Sequence, residues 1–120
     1  DHTAATELIE AARFWAKLTK TDLPGQTHYP ERILYYYAVH LRQVPQPALV
    51  LDISDQWEAK EAAIRCYESQ FIAGRPTESP AFIDRLRHMA STWGFLIGAR
   101  YGEPFASREP IGLASLSGLR

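Results

Sequence analysis

The residues able to do acid–base, metal or nucleophilic chemistry are few and scattered. The 4 histidines are His2, His28, His40 and His88, and Cys66 is the single cysteine. No pair of histidines has the spacing that puts two imidazoles on one turn of a helix, and no His-Glu-x-x-His is present. There is no Gly-x-Ser-x-Gly elbow to raise a nucleophilic serine, and no glycine-rich phosphate loop. Taken singly, His2 beside Asp1 is a terminal residue at the mouth of a helix. His28 sits in a polar loop between Thr27 and Tyr29, and His40 ends a strand. His88 falls between Arg87 and Met89 on a solvent-facing helix surface. Cys66 reads as a small core residue on a helix. Tyr35, Tyr36 and Tyr37 alternate faces on a strand, Tyr35 and Tyr37 on one side and Tyr36 on the other, as core packing demands. Arg32, just before them, reads as a surface charge. By spacing alone the chain holds no complete catalytic or metal site.

The elements that carry these residues follow from periodicity and punctuation. Thr3 caps a helix over residues 4–20, with Leu8, Ile9, Ala12, Trp15 and Ala16 on one face. Ala4, Ala11, Phe14 and Leu18 make a second apolar face, the pattern of a helix sandwiched between layers. Pro24-Gly25 closes this segment. Residues 33–39 are rich in strand formers, and 48–53 form a second short apolar run. The connection between them is too short for a parallel crossover, which predicts an antiparallel strand pair. Ser54 is positioned to cap the next helix, with Asp55 and Glu58 near its positive end. Its stripe is Trp57, Ile64, Tyr67 and Phe71, and Gly74 and Pro76 end it. Ser79-Pro80 then opens a last helix, with Phe82, Leu86, Met89, Trp93 and Ile97 at helical spacing. Gly94 and Gly98, one turn apart on it, mark close contact with a neighbouring element. The tail from Tyr101 onward, with Gly102, Pro104, Pro110, Gly112 and Gly118, reads as extended loop. Three main helices and an antiparallel strand pair thus make an α/β chain whose two strands are a marginal sheet by themselves.

Composition narrows the function. The chain has 120 residues, enough for one domain, with 46% hydrophobic and 22% charged residues, close to globular averages. Its 13 basic and 14 acidic residues give a net charge of −1. No basic cluster advertises nucleic acid or an anionic membrane. No apolar run reaches the roughly 18 residues of a membrane span, and no signal-peptide pattern is visible. A single cysteine cannot form an internal disulfide, so a reducing, cytoplasmic compartment is the expectation. The start at Asp1-His2-Thr3, with no Met, runs straight into a helical pattern. With two strands left to cover a two-faced helix, layers are expected upstream.

Three stretches together resemble the LmbE-like, or PIG-L, zinc deacetylases. Asp1-His2-Thr3-Ala4-Ala5, opening a helix, looks like the end of that family's His-x-Asp-His motif. A strand ending Asp52-Ile53-Ser54, followed by a helix that carries Lys60 and closes Tyr67-Glu68-Ser69-Gln70, is similar to the family's next segment. Trp93-Gly94-Phe95-Leu96-Ile97-Gly98 with Tyr101-Gly102-Glu103-Pro104-Phe105 looks like its bacillithiol-biosynthesis branch, which deacetylates N-acetylglucosaminyl malate. The resemblance covers nearly the whole chain but only the back half of the family's length.

It implies a Rossmann-like fold of which residues 1–120 are a single partial domain, the C-terminal half. It implies a zinc held by two histidines and an aspartate, a carboxylate base, and an amino-sugar amide as substrate. Carried over residue by residue, it gives His2 as a zinc ligand and Asp1 as the carboxylate beside it. The Pro-His-Pro-Asp-Asp motif that supplies the other ligands and the base has no counterpart in this sequence. A dianionic malate group needs cations or donors near the sugar, for which Arg32, Tyr35 and Tyr101 are the residues to consider. The partners implied are the acetylated sugar conjugate and either further copies of the chain or an N-terminal half. The other reading of the chain is a non-catalytic interaction module, carried by its exposed apolar faces.

Overall fold

The structure is a computed structural model that describes residues 2–39, 44–71, 73 and 80–119. The chain forms two compact units, Asp1–Ile33 and Leu34–Arg120.

In the first unit the helix α1 spans His2–Ala16. It stops short of the expected boundary because the backbone turns back: the His28 N–H donates to the Ala16 carbonyl at 2.9 Å. Arg13 pins the returning strand of chain, donating from Nε to the Pro30 carbonyl and from Nη2 to the Glu31 carbonyl, each at 2.8 Å. Its guanidinium also lies 4.6 Å from the centre of the Tyr29 ring. Among the described residues nothing covers the two apolar faces of α1: it has no buried residue, and Leu8, Ile9, Phe14 and Trp15 are all more than half exposed.

The second unit is built on a three-stranded antiparallel sheet. The strands are β1 (Tyr35–Tyr36), β2 (Leu49–Asp52) and β3 (Gly102–Ala106), in the order β1-β3-β2. The expected pair of adjacent strands is therefore corrected. The two predicted strands flank β3, which sequence punctuation marks as loop. Tyr36 pairs with Phe105, and Leu49 pairs with Phe105 from the other side. The first strand is much shorter than residues 33–39, although the predicted alternation holds: Tyr35 and Tyr37 are half-buried and Tyr36 is exposed.

A 3-10 turn at Ser54–Gln56 leads into α2 (Trp57–Arg65), and a separate short helix α3 (Glu68–Phe71) follows. The single helix expected here is broken at Cys66 and Tyr67. Cys66 is exposed rather than a core residue, and Tyr67 is 60% exposed. The segment holding Gly74, Pro76 and Ser79 lies outside the described residues, as do Asp1 and His40. Helix α4 (Phe82–Leu96) starts with Ala81 at its N-cap. Its buried positions are Ile83, Ala90 and Gly94, so the buried stripe is turned by about one residue from the one centred on Met89 and Trp93. Small residues decide this, because they let the helix approach β3.

A Cβ placed on Gly102 would lie 2.8 Å from the Gly94 nitrogen, and one on Gly94 would lie 2.7 Å from the Tyr101 nitrogen. Gly98 has a different role: it ends the helix in the left-handed region at φ +69°, with no atom within 4 Å of an added Cβ. The core is a cluster of Ile53, Trp57, Ala90 and Tyr101, with Leu86 packed against it.

Candidate functional site

His2 is the first residue of α1 and is exposed; its carbonyl accepts a hydrogen bond from the Thr6 hydroxyl at 3.1 Å. Arg32 lies exposed near the end of the same unit. Tyr35 and Tyr101 belong to the second unit. Tyr35 starts β1 opposite Ala106, with the Arg108 guanidinium 5.3 Å from its ring centre. Tyr101 is 6% exposed and stacks on Trp57 with ring centres 4.6 Å apart, a packing role for the ring. Asp1 lies outside the described residues. A catalytic zinc takes three protein ligands and keeps a position open for water. Among the described residues, no group of three or more His, Cys, Asp or Glu side chains could hold a metal ion. The described residues by themselves therefore do not make up a zinc site.

The stretches that carried the family resemblance in the second unit do structural work. Asp52 Oδ1 accepts from the Ser54 N–H at 3.0 Å and from the Ser54 hydroxyl at 2.6 Å. The same Ser54 oxygen accepts the backbone N–H groups of Arg100 and Tyr101, each at 3.2 Å. The expected helix cap is corrected: Ser54 makes no cap hydrogen bond and instead ties the end of β2 to the entry of β3. Ile53 completes this knot, donating its N–H to the Tyr101 carbonyl at 3.0 Å. Lys60 pairs with Glu103 at 2.5 Å, joining α2 to β3. The Asp-Ile-Ser, Lys and Tyr-Gly-Glu-Pro-Phe elements are thus locked to one another.

A dense charged cluster among the described residues is one that no motif announced. Glu61 on α2 accepts from Arg65 through Oε1 at 2.7 Å and from Arg87 of α4 through Oε2 at 2.6 Å. Arg87 also reaches Asp84 at 3.3 Å. The hydrogen bonds from Arg65 and then Arg87 hold the Glu61 carboxyl below the usual carboxylate range, and Glu61 in turn raises the Arg87 pKa. Glu61, Arg65 and Arg87 border a cavity of about 500 Å³, also lined by Trp57, Glu58, Arg100 and Tyr101. The spacing of Glu61 and Arg65 was a visible helix-surface pair, but nothing in the sequence brought Arg87 and Arg100 to it. A second cavity, about 380 Å³, lies in the first unit between α1 and the following loop, beside Trp15, Leu18, Leu23 and Pro24. Among the described residues no helix is long and apolar enough to cross a membrane.

No family model matches the chain. Among solved structures it is similar to that of the conserved protein TT1542 from Thermus thermophilus. The identity is 32% and the TM-score 0.78, over 94% of this chain and 48% of that one. The likeness holds in sequence and in fold across nearly the whole of this chain, which spans about half the length of the Thermus protein.

Proposed function

We propose that the chain forms the C-terminal half of a zinc-dependent deacetylase of the LmbE-like type, acting on an N-acetylglucosamine conjugate. The substrate of choice is N-acetylglucosaminyl malate, as in bacillithiol biosynthesis. The observation that carries this reading is the occurrence in one chain of Asp1-His2 opening a helix, a strand ending Asp52-Ile53-Ser54, and Tyr101-Gly102-Glu103-Pro104-Phe105. The spacing of the last two stretches has a physical reason, since Ser54 holds the amides of Arg100 and Tyr101. A match to 48% of a solved protein's length accords with half of a larger domain.

Amide hydrolysis releases acetate and a free amine. In this reading His2 supplies one metal ligand, and the remaining ligands and the base come from polypeptide outside the described residues. Arg32 is the cation this reading assigns to the malate carboxylates. The test is amine release from N-acetylglucosaminyl malate by the longest native polypeptide that contains this sequence. Activity that falls to background in His2→Ala supports the reading, and activity unchanged in His2→Ala ends it.

The exposed Leu8, Ile9, Phe14 and Trp15 of α1 favour a second reading, an interaction module that pairs with another polypeptide or another copy. Sedimentation of the 120-residue chain as a well-behaved monomer at high concentration would remove that support.

A further inference from the structure

We propose that the cavity between α2, α4 and the entry to β3 binds a small anion bearing a phosphate or carboxylate group, gripped by Arg100 together with Arg65 and Arg87. This inference is independent of the deacetylase reading. A guanidinium carries five N–H donors in a rigid fork suited to such groups. Arg65 directs Nε and Nη2 to Glu61, and Arg87 directs Nη1 to Asp84 and Nη2 to Glu61. Arg100 has no carboxylate partner among the described residues; its guanidinium lies 5.2 Å from the Tyr101 ring centre.

Most of the donors bordering the cavity are therefore unspent; its three guanidiniums stand with the carboxylates of Glu58 and Glu61 in the lining and of Asp84 beside it, and of the three Arg100 alone lacks a carboxylate partner among the described residues. Glu61, with its side chain only 16% exposed, fixes Arg65 and Arg87 in place before any ligand arrives. Such preorganisation lowers the ordering cost of binding. The volume, about 500 Å³, exceeds that of a phosphate and leaves room for an organic body beside Trp57 and Tyr101.

The experiment is calorimetric titration of the folded chain with sodium pyrophosphate and, separately, with sodium citrate, at matched low ionic strength. The variants are Arg100→Gln, Glu58→Gln and, outside the cavity, Arg108→Gln, each checked for native circular dichroism. Arg100→Gln removes no ion pair among the described residues, and the circular dichroism shows whether the fold is intact. Saturable binding of either anion is expected. It should weaken about tenfold in Arg100→Gln, the loss expected for a charge-assisted hydrogen-bonding group. Glu58→Gln should tighten it, and Arg108→Gln should leave it unchanged. Preference for pyrophosphate assigns the ligand to the phosphates, and preference for citrate to the carboxylates. No saturable binding of either anion, or equal weakening by Arg100→Gln and Arg108→Gln, overturns the proposal.

Discussion

Gly94→Ala sets two effects of opposite sign against each other. Gly94 lies in the last turn of α4, so alanine relieves backbone entropy and contributes at most about 1 kcal/mol. Against this, the new Cβ would stand 2.7 Å from the Tyr101 nitrogen and 2.8 Å from both the Ala99 oxygen and the Arg100 carbonyl carbon. All three are backbone atoms, so no side chain can swing aside. Relief requires moving the turn between α4 and β3. The same turn carries the amides held by Ser54 and the carbonyl that accepts from Ile53. Overpacking of this kind costs about 1–3 kcal/mol, and disturbing the knot adds to it. The net expectation is a loss of about 1–3 kcal/mol, or roughly 1 M in the urea midpoint for a small domain.

The control is Gly98→Ala, where nothing lies within 4 Å of the new Cβ and only the φ of +69° is unfavourable, a cost of about 1 kcal/mol. Urea unfolding followed by far-ultraviolet circular dichroism reads both. A Gly94→Ala protein at least as stable as the parent would refute the close approach of α4 to β3.

Two further outcomes follow from the same knot and from the charged cluster. Ser54→Ala removes the acceptor of two backbone N–H groups and should cost about 1–3 kcal/mol. Amide hydrogen exchange should quicken at Arg100 and Tyr101, and unchanged protection there would count against the knot. Glu61 has a lowered pKa, so its contribution to stability is complete above the ordinary value of about 4.5 and is lost as the pH falls through the folded value. Glu61→Gln should therefore flatten the acid side of the stability profile below that pH while leaving the slope between pH 6 and 8 unchanged, roughly the range in which no carboxylate titrates. An acid limb identical to the parent's would show that Arg65 and Arg87 do not stabilise the carboxylate.

The helices α1 and α4 and the strand β2 were legible because apolar spacing and Gly or Pro punctuation agree there, and α2 was legible in its start and spacing but not in its end at Arg65, which no Gly or Pro marks. β3 was not, since Gly102 and Pro104 are turn residues almost everywhere else. Gly102 is required by the approach of Gly94. Pro104 is tolerated because the ladder with β1 ends at Phe105, so Pro104 pairs with Val50 of β2 alone. The buried stripe of α4 was misplaced for a related reason: the reading favoured the large Met89 and Trp93, whereas close packing selected Ala90 and Gly94. The motif at Asp52 and Ser54 was recognised as a pattern, but its role as a hydrogen-bonded knot depends on partners far along the chain. Glu61 with Arg87 and Arg100 was illegible because their meeting depends on how α2, α4 and the turn before β3 pack. His2 gains no metal site from the fold, since no group of three or more His, Cys, Asp or Glu side chains able to hold a metal ion forms among the described residues.

Metal content tests the functional reading most directly. Zinc per polypeptide would be measured by atomic absorption on the longest native polypeptide containing this sequence and on its His2→Ala variant, both purified without added metal. Near-stoichiometric zinc in the parent, mostly lost in the variant with the fold intact, is the expected result. Zinc that is absent from the parent, or bound equally well without the His2 imidazole, would contradict the assignment of His2 as a ligand and with it the deacetylase reading.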